Sequence, residues 1–229
     1  MKLKEKLMKI AGKSNFKLDK RIESPYIIRL CIKYGFMILR GKLCSLGYPG
    51  IAKDIFIGKN VKLYSKKNIV VGTKTKLHSG VKIDALSIEG VTIGSYCVLG
   101  EYTKIECTGS LSSLGKGVVI GDRTTFGSDC FFGAAGGINI GLDVVAGQFI
   151  RFHSENHNYK NKNILIKDQG VTHKGIKIGN NCWIGAGVVF LDGAELGDGC
   201  VVAANAVVTK KFPPNVVIGG IPAKILRNR

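Results

Sequence analysis

From residue 57 onward, large apolar residues recur every six positions. Ile57, Leu63 and Ile69 form one run, Val71, Leu77 and Ile83 a second, and Ile93, Leu99 and Ile105 a third. Ile120, Phe126, Phe132 and Ile138 continue it, and a two-residue slip resets the phase at Ile140. Ile178, Ile184, Phe190, Leu196, Val202 and Val208 complete the pattern. Glycine often follows the large residue, as in Ile178-Gly179, Ile184-Gly185 and Leu196-Gly197. Four positions after the large residue comes a small or β-branched one: Val61, Thr75, Val81, Cys97, Thr124, Cys130, Val144, Cys182, Val188, Ala194, Cys200 and Ala206. A helical period cannot hold i, i+6 and i+12 in one stripe over such a length, and simple alternation gives no reason for the glycine. A chain that turns a corner every six residues explains both. Three short flat strands then close one triangular coil, the large residue fills its interior, and glycine relieves crowding at the bend. Successive coils stack as parallel strands about 4.8 Å apart, each burying its inner face against its neighbours.

Residues 1–50 lie outside this repeat. The run SPYIIRLCIKYGFMILRGK places Ile28, Cys31, Ile32, Gly35, Phe36 and Leu39 on one helical face, with Arg29, Lys33 and Arg40 mostly off it. Ser24 is positioned to cap this helix, Pro25 to open it and Gly41 to end it. Charge adds a second property. The 229 residues carry 34 Lys plus Arg against 16 Asp plus Glu, a net +18, and residues 1–42 alone hold nine Lys and three Arg against three acids. A basic amphipathic helix of this kind suits either of two surfaces, anionic lipid or the chain's own folded domain. Nucleic acid is not expected, because no binding motif or interleaved aromatic platform accompanies the charge. No stretch approaches the ~20 apolar residues of a membrane span, and no apolar signal-peptide core is seen. The seven cysteines form no CxxC pair, which argues against a disulfide framework or zinc ribbon and fits a reducing cytosol. The expectation is a cytoplasmic protein, peripheral at the inner face of the membrane if the helix binds lipid.

The hexads fail between Phe152 and Ile178, across HSENHNYKNKNILIKDQGVTHKGIK. This segment is polar, too long for a corner, and carries His153, His157 and His173. A long loop leaving a rigid scaffold is where chemistry is expected. Imidazole ionises near 6.5 when unperturbed, which makes it the natural proton acceptor at neutral pH. Glu155 is close enough in sequence to orient an imidazole, as a backbone carbonyl would equally well.

The repeat resembles the left-handed parallel β-helix of the hexapeptide-repeat acyltransferases, and the handedness is implied by that resemblance. Residues 140–227 are similar to the galactoside, maltose and related sugar O-acetyltransferases. The shared features are an Ile-Gly hexad at Ile140, a loop histidine seventeen residues on, the stretch IGNNCWIGAGVVF, and the ending VVTKKFPPNVVIGGIPAKILR. The resemblance does not reach the N-terminal 50 residues; taken with the pattern of the chain, the expectation is a mainly β protein with three regions: a basic helical extension over 1–50, a β-helix acyltransferase domain over 51–221 with its active-site loop at 153–176, and a C-terminal tail over 222–229. It implies that His157 is the catalytic base. This histidine would take the proton of a sugar hydroxyl as that oxygen attacks the thioester of acetyl-CoA, with no acyl-enzyme and no metal. Ala186 and Ala204 match positions whose backbone meets the pantetheine arm. Thr209 and Lys210 match a pair near the coenzyme, and Lys224 and Arg227 match cations near its phosphates. Trp183, preceding a hexad start, should point outward, to the coenzyme or a subunit interface. A homotrimer with sites between chains is implied as well.

One departure limits the analogy. Where some sugar acetyltransferases carry an acceptor-binding Asn, thirty residues before the catalytic histidine, this chain has Gly127. The acceptor must be held otherwise, with His153, Asn156 and Asp129 as candidates, and galactoside or maltose cannot be carried over as the substrate. A polysaccharide or glycan precursor is the expected acceptor. N-acetylation of an amino-sugar is the nearest alternative, since the same base and thioester serve an amine. A zinc hydratase of the γ-carbonic anhydrase type, drawing on His153 and His157, lacks a clear third ligand. A non-catalytic scaffold is the remaining reading.

Overall fold

The computed structural model describes Asp19 and residues 21–229, so the beginning of the expected extension lies outside the described residues. From Phe56 to Gly219 short parallel strands wind around a three-sided prism. The first face begins with Phe56–Ile57 and ends with Val216–Gly219, against which Lys224–Asn228 pairs antiparallel to give nine strands. The second face runs from Lys62–Tyr64 to Val207–Val208, and the third from Ile69–Val71 to Lys211–Phe212, each of seven strands. The expected tail over 222–229 is therefore largely a strand that extends the first face. The coil that sets Trp183 beside Val201 takes the expected eighteen residues, whereas earlier coils take twenty, as from Phe56 to Lys76, or more.

The hexad residues form three inward ladders. Leu77, Leu99, Phe126 and Ile184 descend from the first face, Ile83, Ile105, Phe132, Phe152 and Phe190 from the second, and Ile93, Ile120, Ile140 and Leu196 from the third, all of them buried. Phe152 stacks on Phe132 at 4.8 Å and on Phe190 at 5.0 Å. The small Ala146 occupies the first-face position of the coil that holds Phe152, so a large ring and a small neighbour share that layer.

The corners follow a rule only half visible in the sequence. The glycine after each large residue is there because the next coil's backbone passes close by. A Cβ on Gly179 would stand 2.6 Å from the amide nitrogen of Asp198. The left-handed backbone falls two residues further on, as at Asn181 (φ 52°). The small-residue slot also has a polar duty. Thr124 Oγ1 donates to the Gly141 carbonyl at 2.9 Å, and Cys97 Sγ lies 3.1 Å from the Gly121 carbonyl. These side chains satisfy corner carbonyls that the flat strands leave unpaired. Burial pushes the thiols of Cys97, Cys107, Cys130 and Cys182 up to about 11, which keeps them protonated and inert at neutral pH.

The helix α1, Ser24–Ser45, is present, with two departures from expectation, at its cap and at its end, and with the face it turns to the prism now defined. Glu23 is the cap residue and makes no side-chain cap bond, while Ser24 lies inside. The helix runs through Gly41, whose missing side chain lets it rest on the Ile55 backbone. The apolar face read from the sequence is not the one that packs on the domain. Ile27, Met37 and Gly41 are buried there, while Ile28, Ile32, Phe36 and Leu39 face outward. Close approach at Gly41 decides the contact face, and side-chain periodicity does not report it.

Candidate active site

Two interruptions leave the prism at the same edge, between the second and third faces. The longer spans residues 154–175, and its coil takes thirty-eight residues from Val145 to Trp183 in register. The shorter spans 108–115, between Lys104–Glu106 and Gly117–Ile120.

The long excursion is held rigid by polar contacts. Ser154, fully buried, donates through Oγ to the Gly133 carbonyl and accepts from the Gly136 amide, both at 2.9 Å. Asn156–His157 then pairs antiparallel with Val171–Thr172. At the tip the Gln169 amide donates to the carbonyls of Asn161 and Ile164, each at 2.8 Å, and its oxygen accepts from the Asn161 amide at 3.1 Å. On the return, Asp192, only 6% exposed, accepts from Thr172 Oγ1 at 3.0 Å and from the Gly175 amide at 2.7 Å. Glu155 lies 2.6 Å from His173 Nε2, so it ties the outgoing strand to the returning one. The imidazole that Glu155 orients is thus that of His173, not His157.

This ribbon presents His157 to a cleft of about 320 Å3 whose walls include Glu106, Thr108, Phe131, Gly133, His153 and Glu155. Glu106, Gly133 and His153 succeed one another in adjacent coils, and the bare Gly133 leaves the floor open between the other two. Glu106 is paired with Lys82 at 3.0 Å. His153 packs on Phe131 at 5.7 Å. Burial lowers its pKa, the nearby Arg151 adds to the shift, and the ring is held neutral. Glu106 and the 108–115 loop were not singled out from sequence. The signal was there, because Ile105 and Ile120 are fifteen residues apart and break the six-residue step. Asn156, next to His157 on the ribbon, alternates to its other side and does not line the cleft.

Beyond the excursion the same edge carries a second, basic cleft of about 470 Å3. It is lined by Thr209 and Lys210 together with Lys174, Lys177 and Lys211, and by two carboxylates, Asp192 and Glu195, the second paired with Lys211 at 2.7 Å, so the lysines remain in excess. Only some of the expected coenzyme residues meet there. Ala186 and Ala204 stack on the edge between the first and second faces, the edge that also carries Asp129. Lys224 and Arg227 lie exposed on the terminal strand of the first face. Trp183, 61% exposed, stands on that face between Val145 and Val201. Within one chain the expected residues therefore occupy two edges and one face. Among the described residues no three His, Cys, Asp or Glu side chains converge to hold a metal ion, and none of them joins His153 and His157 as a third ligand.

Comparison with known proteins agrees with this architecture. The family description "Bacterial transferase hexapeptide (six repeats)" matches residues 175–210. The Escherichia coli protein WcaF, provisionally named a colanic acid biosynthesis acetyltransferase, is 30% identical over 144 residues, 63% of this chain and 72% of its own. The galactoside O-acetyltransferase of Escherichia coli is 50% identical over 52 residues, 23% of this chain and 26% of its own. The aligned stretch spans about half or less of the length of the first curated relatives it matches. Among solved structures, a variant of the N-acyltransferase AntD from Bacillus cereus, in complex with dTDP-4-amino-4,6-dideoxyglucose and coenzyme A, superposes with a TM-score of 0.55. It is 18% identical and covers 83% of this chain and 89% of its own, a likeness of fold. That fold is the left-handed parallel β-helix.

Proposed function

Because the chain belongs to the hexapeptide-repeat acetyltransferases, we propose that it moves an acetyl group from acetyl-CoA to a sugar hydroxyl, with His157 as general base. The observation that carries this reading is the presentation of one imidazole, on a ribbon fixed at both ends, to a cleft beside a cationic one on the same edge. His157 takes the hydroxyl proton as the oxygen attacks the thioester carbonyl. The tetrahedral intermediate then collapses, the C–S bond breaks, and the imidazolium returns its proton to the departing thiolate. Such a base is worth roughly 10²–10⁴-fold, and holding both substrates together adds to it. Lys174, Lys177 and Lys210 suit a ligand bearing several phosphate charges.

The acceptor fits a polysaccharide or glycan precursor, in keeping with the colanic acid relative. His153, neutral and packed on Phe131, offers a ring nitrogen to a sugar hydroxyl across the open floor at Gly133. The working unit is a homotrimer. Side by side, two chains would set the edge with His157, Thr209 and Lys210 against the neighbour's edge with Asp129, Ala186 and Ala204. The exposed Tyr159, Ile164, Leu165 and Ile166 on the excursion support such a contact. Acetyl-CoA as the donor fits a cytoplasmic reaction.

The test is incubation with acetyl-CoA and a panel of neutral sugars, amino-sugars and oligosaccharides, following thiol release and the product bond by mass spectrometry. An ester on a hydroxyl is expected. An amide product would replace O-transfer by N-transfer, and no thiol release with any acceptor would contradict the reading.

A further inference from the structure

Helix α1 turns only part of its surface to the prism, where Tyr34 meets Phe56 edge-on at 5.9 Å. On its outer side Ile28, Ile32, Phe36, Leu39 and Leu43 are each more than half exposed. Their spacing of four, four, three and four residues makes one continuous stripe. The helix carries four cations, Arg29, Lys33, Arg40 and Lys42, and no acid. Three of them, with Lys59 from the prism corner, line a groove of about 630 Å3 between helix and prism whose apolar walls are Ile32, Phe36 and Met37. Arg40 is steadied at this groove by a bond to the Ile57 carbonyl at 3.3 Å, and Lys33 reaches Glu101 at 3.5 Å. Among the described residues, no carboxylate is in ion-pair range of Arg29 or Lys59.

We infer that α1 lies in the plane of an anionic bilayer surface, its stripe in the acyl boundary and lipid phosphates in the groove lined by Arg29, Lys33, Arg40 and Lys59. The charge selects this occupant. A second copy packed stripe to stripe would bring the four cations of each helix together around the apolar contact, whereas a bilayer offers apolar depth bordered by phosphate. No helix among the described residues is long and apolar enough to cross a membrane, which leaves the in-plane geometry for this one. The inference depends on the helix and the groove beside it, and stands whatever the acceptor.

The experiment is co-sedimentation of the full chain with vesicles of phosphatidylcholine, alone or with phosphatidylglycerol. Binding to the anionic vesicles, weakening as salt rises, is expected, with little to the neutral ones. Arg29→Gln combined with Lys59→Gln should weaken binding about 25-fold, roughly fivefold per cation removed. Ile32→Ser combined with Phe36→Ser should weaken it at least tenfold. Both side chains are already exposed, so the sheet spectrum and the mass in solution should be unchanged. Equal binding to both vesicle types would overturn the inference, as would undiminished binding by either double variant. A stripe variant that dissociates to a smaller species would also overturn it, by making the stripe a subunit contact.

Discussion

The prism wall and the 154–175 excursion are built by opposite means. In the wall each residue is held by its counterparts one coil away, as Phe152 is held between Phe132 and Phe190. In the excursion Leu165 and Ile166 are exposed, and the shape comes from single polar contacts made by Ser154, Gln169 and Asp192. Repetition makes the wall robust and chemically uniform. The excursion is where the chain departs from that uniformity, and each of its contacts is made once.

This contrast can be broken by experiment, beginning with the wall. Phe152→Ala should cost about 3–5 kcal/mol of unfolding free energy in chemical denaturation, because the stacked coils hold the cavity open. A loss under about 1 kcal/mol would mean that neighbouring rings close over it and the ladders are not rigid. Asp192→Ala should behave differently. Removing a carboxylate that holds two donors costs about 2 kcal/mol, confined to the excursion. The Gly175 amide should exchange faster with solvent while the melting of the prism barely moves. A global loss as large as that of Phe152→Ala would show that wall and excursion unfold together.

Glu155→Gln loosens the tie to His173 across a half-exposed contact, worth about 1 kcal/mol or less. Turnover should fall about two- to fivefold with KM nearly constant, and Glu155→Asp should recover part of it. An unchanged kcat would leave the pair without a positioning role. The smallest effect is His153 in a pH titration followed by NMR. Its folded pKa lies below the ordinary value of about 6.5, so the folded state resists protonation. The associated stability is present above that value and is lost as pH falls from it through the folded midpoint. His153→Gln should remove this dependence, and a midpoint above 6.5 would contradict the burial of the ring.

Much of the wall was legible in the sequence because each inward position repeats a requirement already stated six residues earlier. Leu77, Ile105 and Phe190 fall in the core for that reason. The site was legible only in part. The spacing of His157 from Ile140 and the break in the hexads marked the loop. The Glu155–His173 tie was hidden because it joins strands that pair only after the loop has folded back. The contact face of α1 was hidden because apolar spacing shows where a helix is greasy and not which side meets a neighbour. Gly41, read as a stop, is in fact the point of contact.

The most direct test of the account is His157→Ala, assayed for turnover with a competent acceptor and for acetyl-CoA affinity by calorimetry. The account predicts a fall in kcat of roughly 10²–10⁴-fold with coenzyme affinity within about twofold of the parent. A variant that turns over at near the parent rate would contradict it.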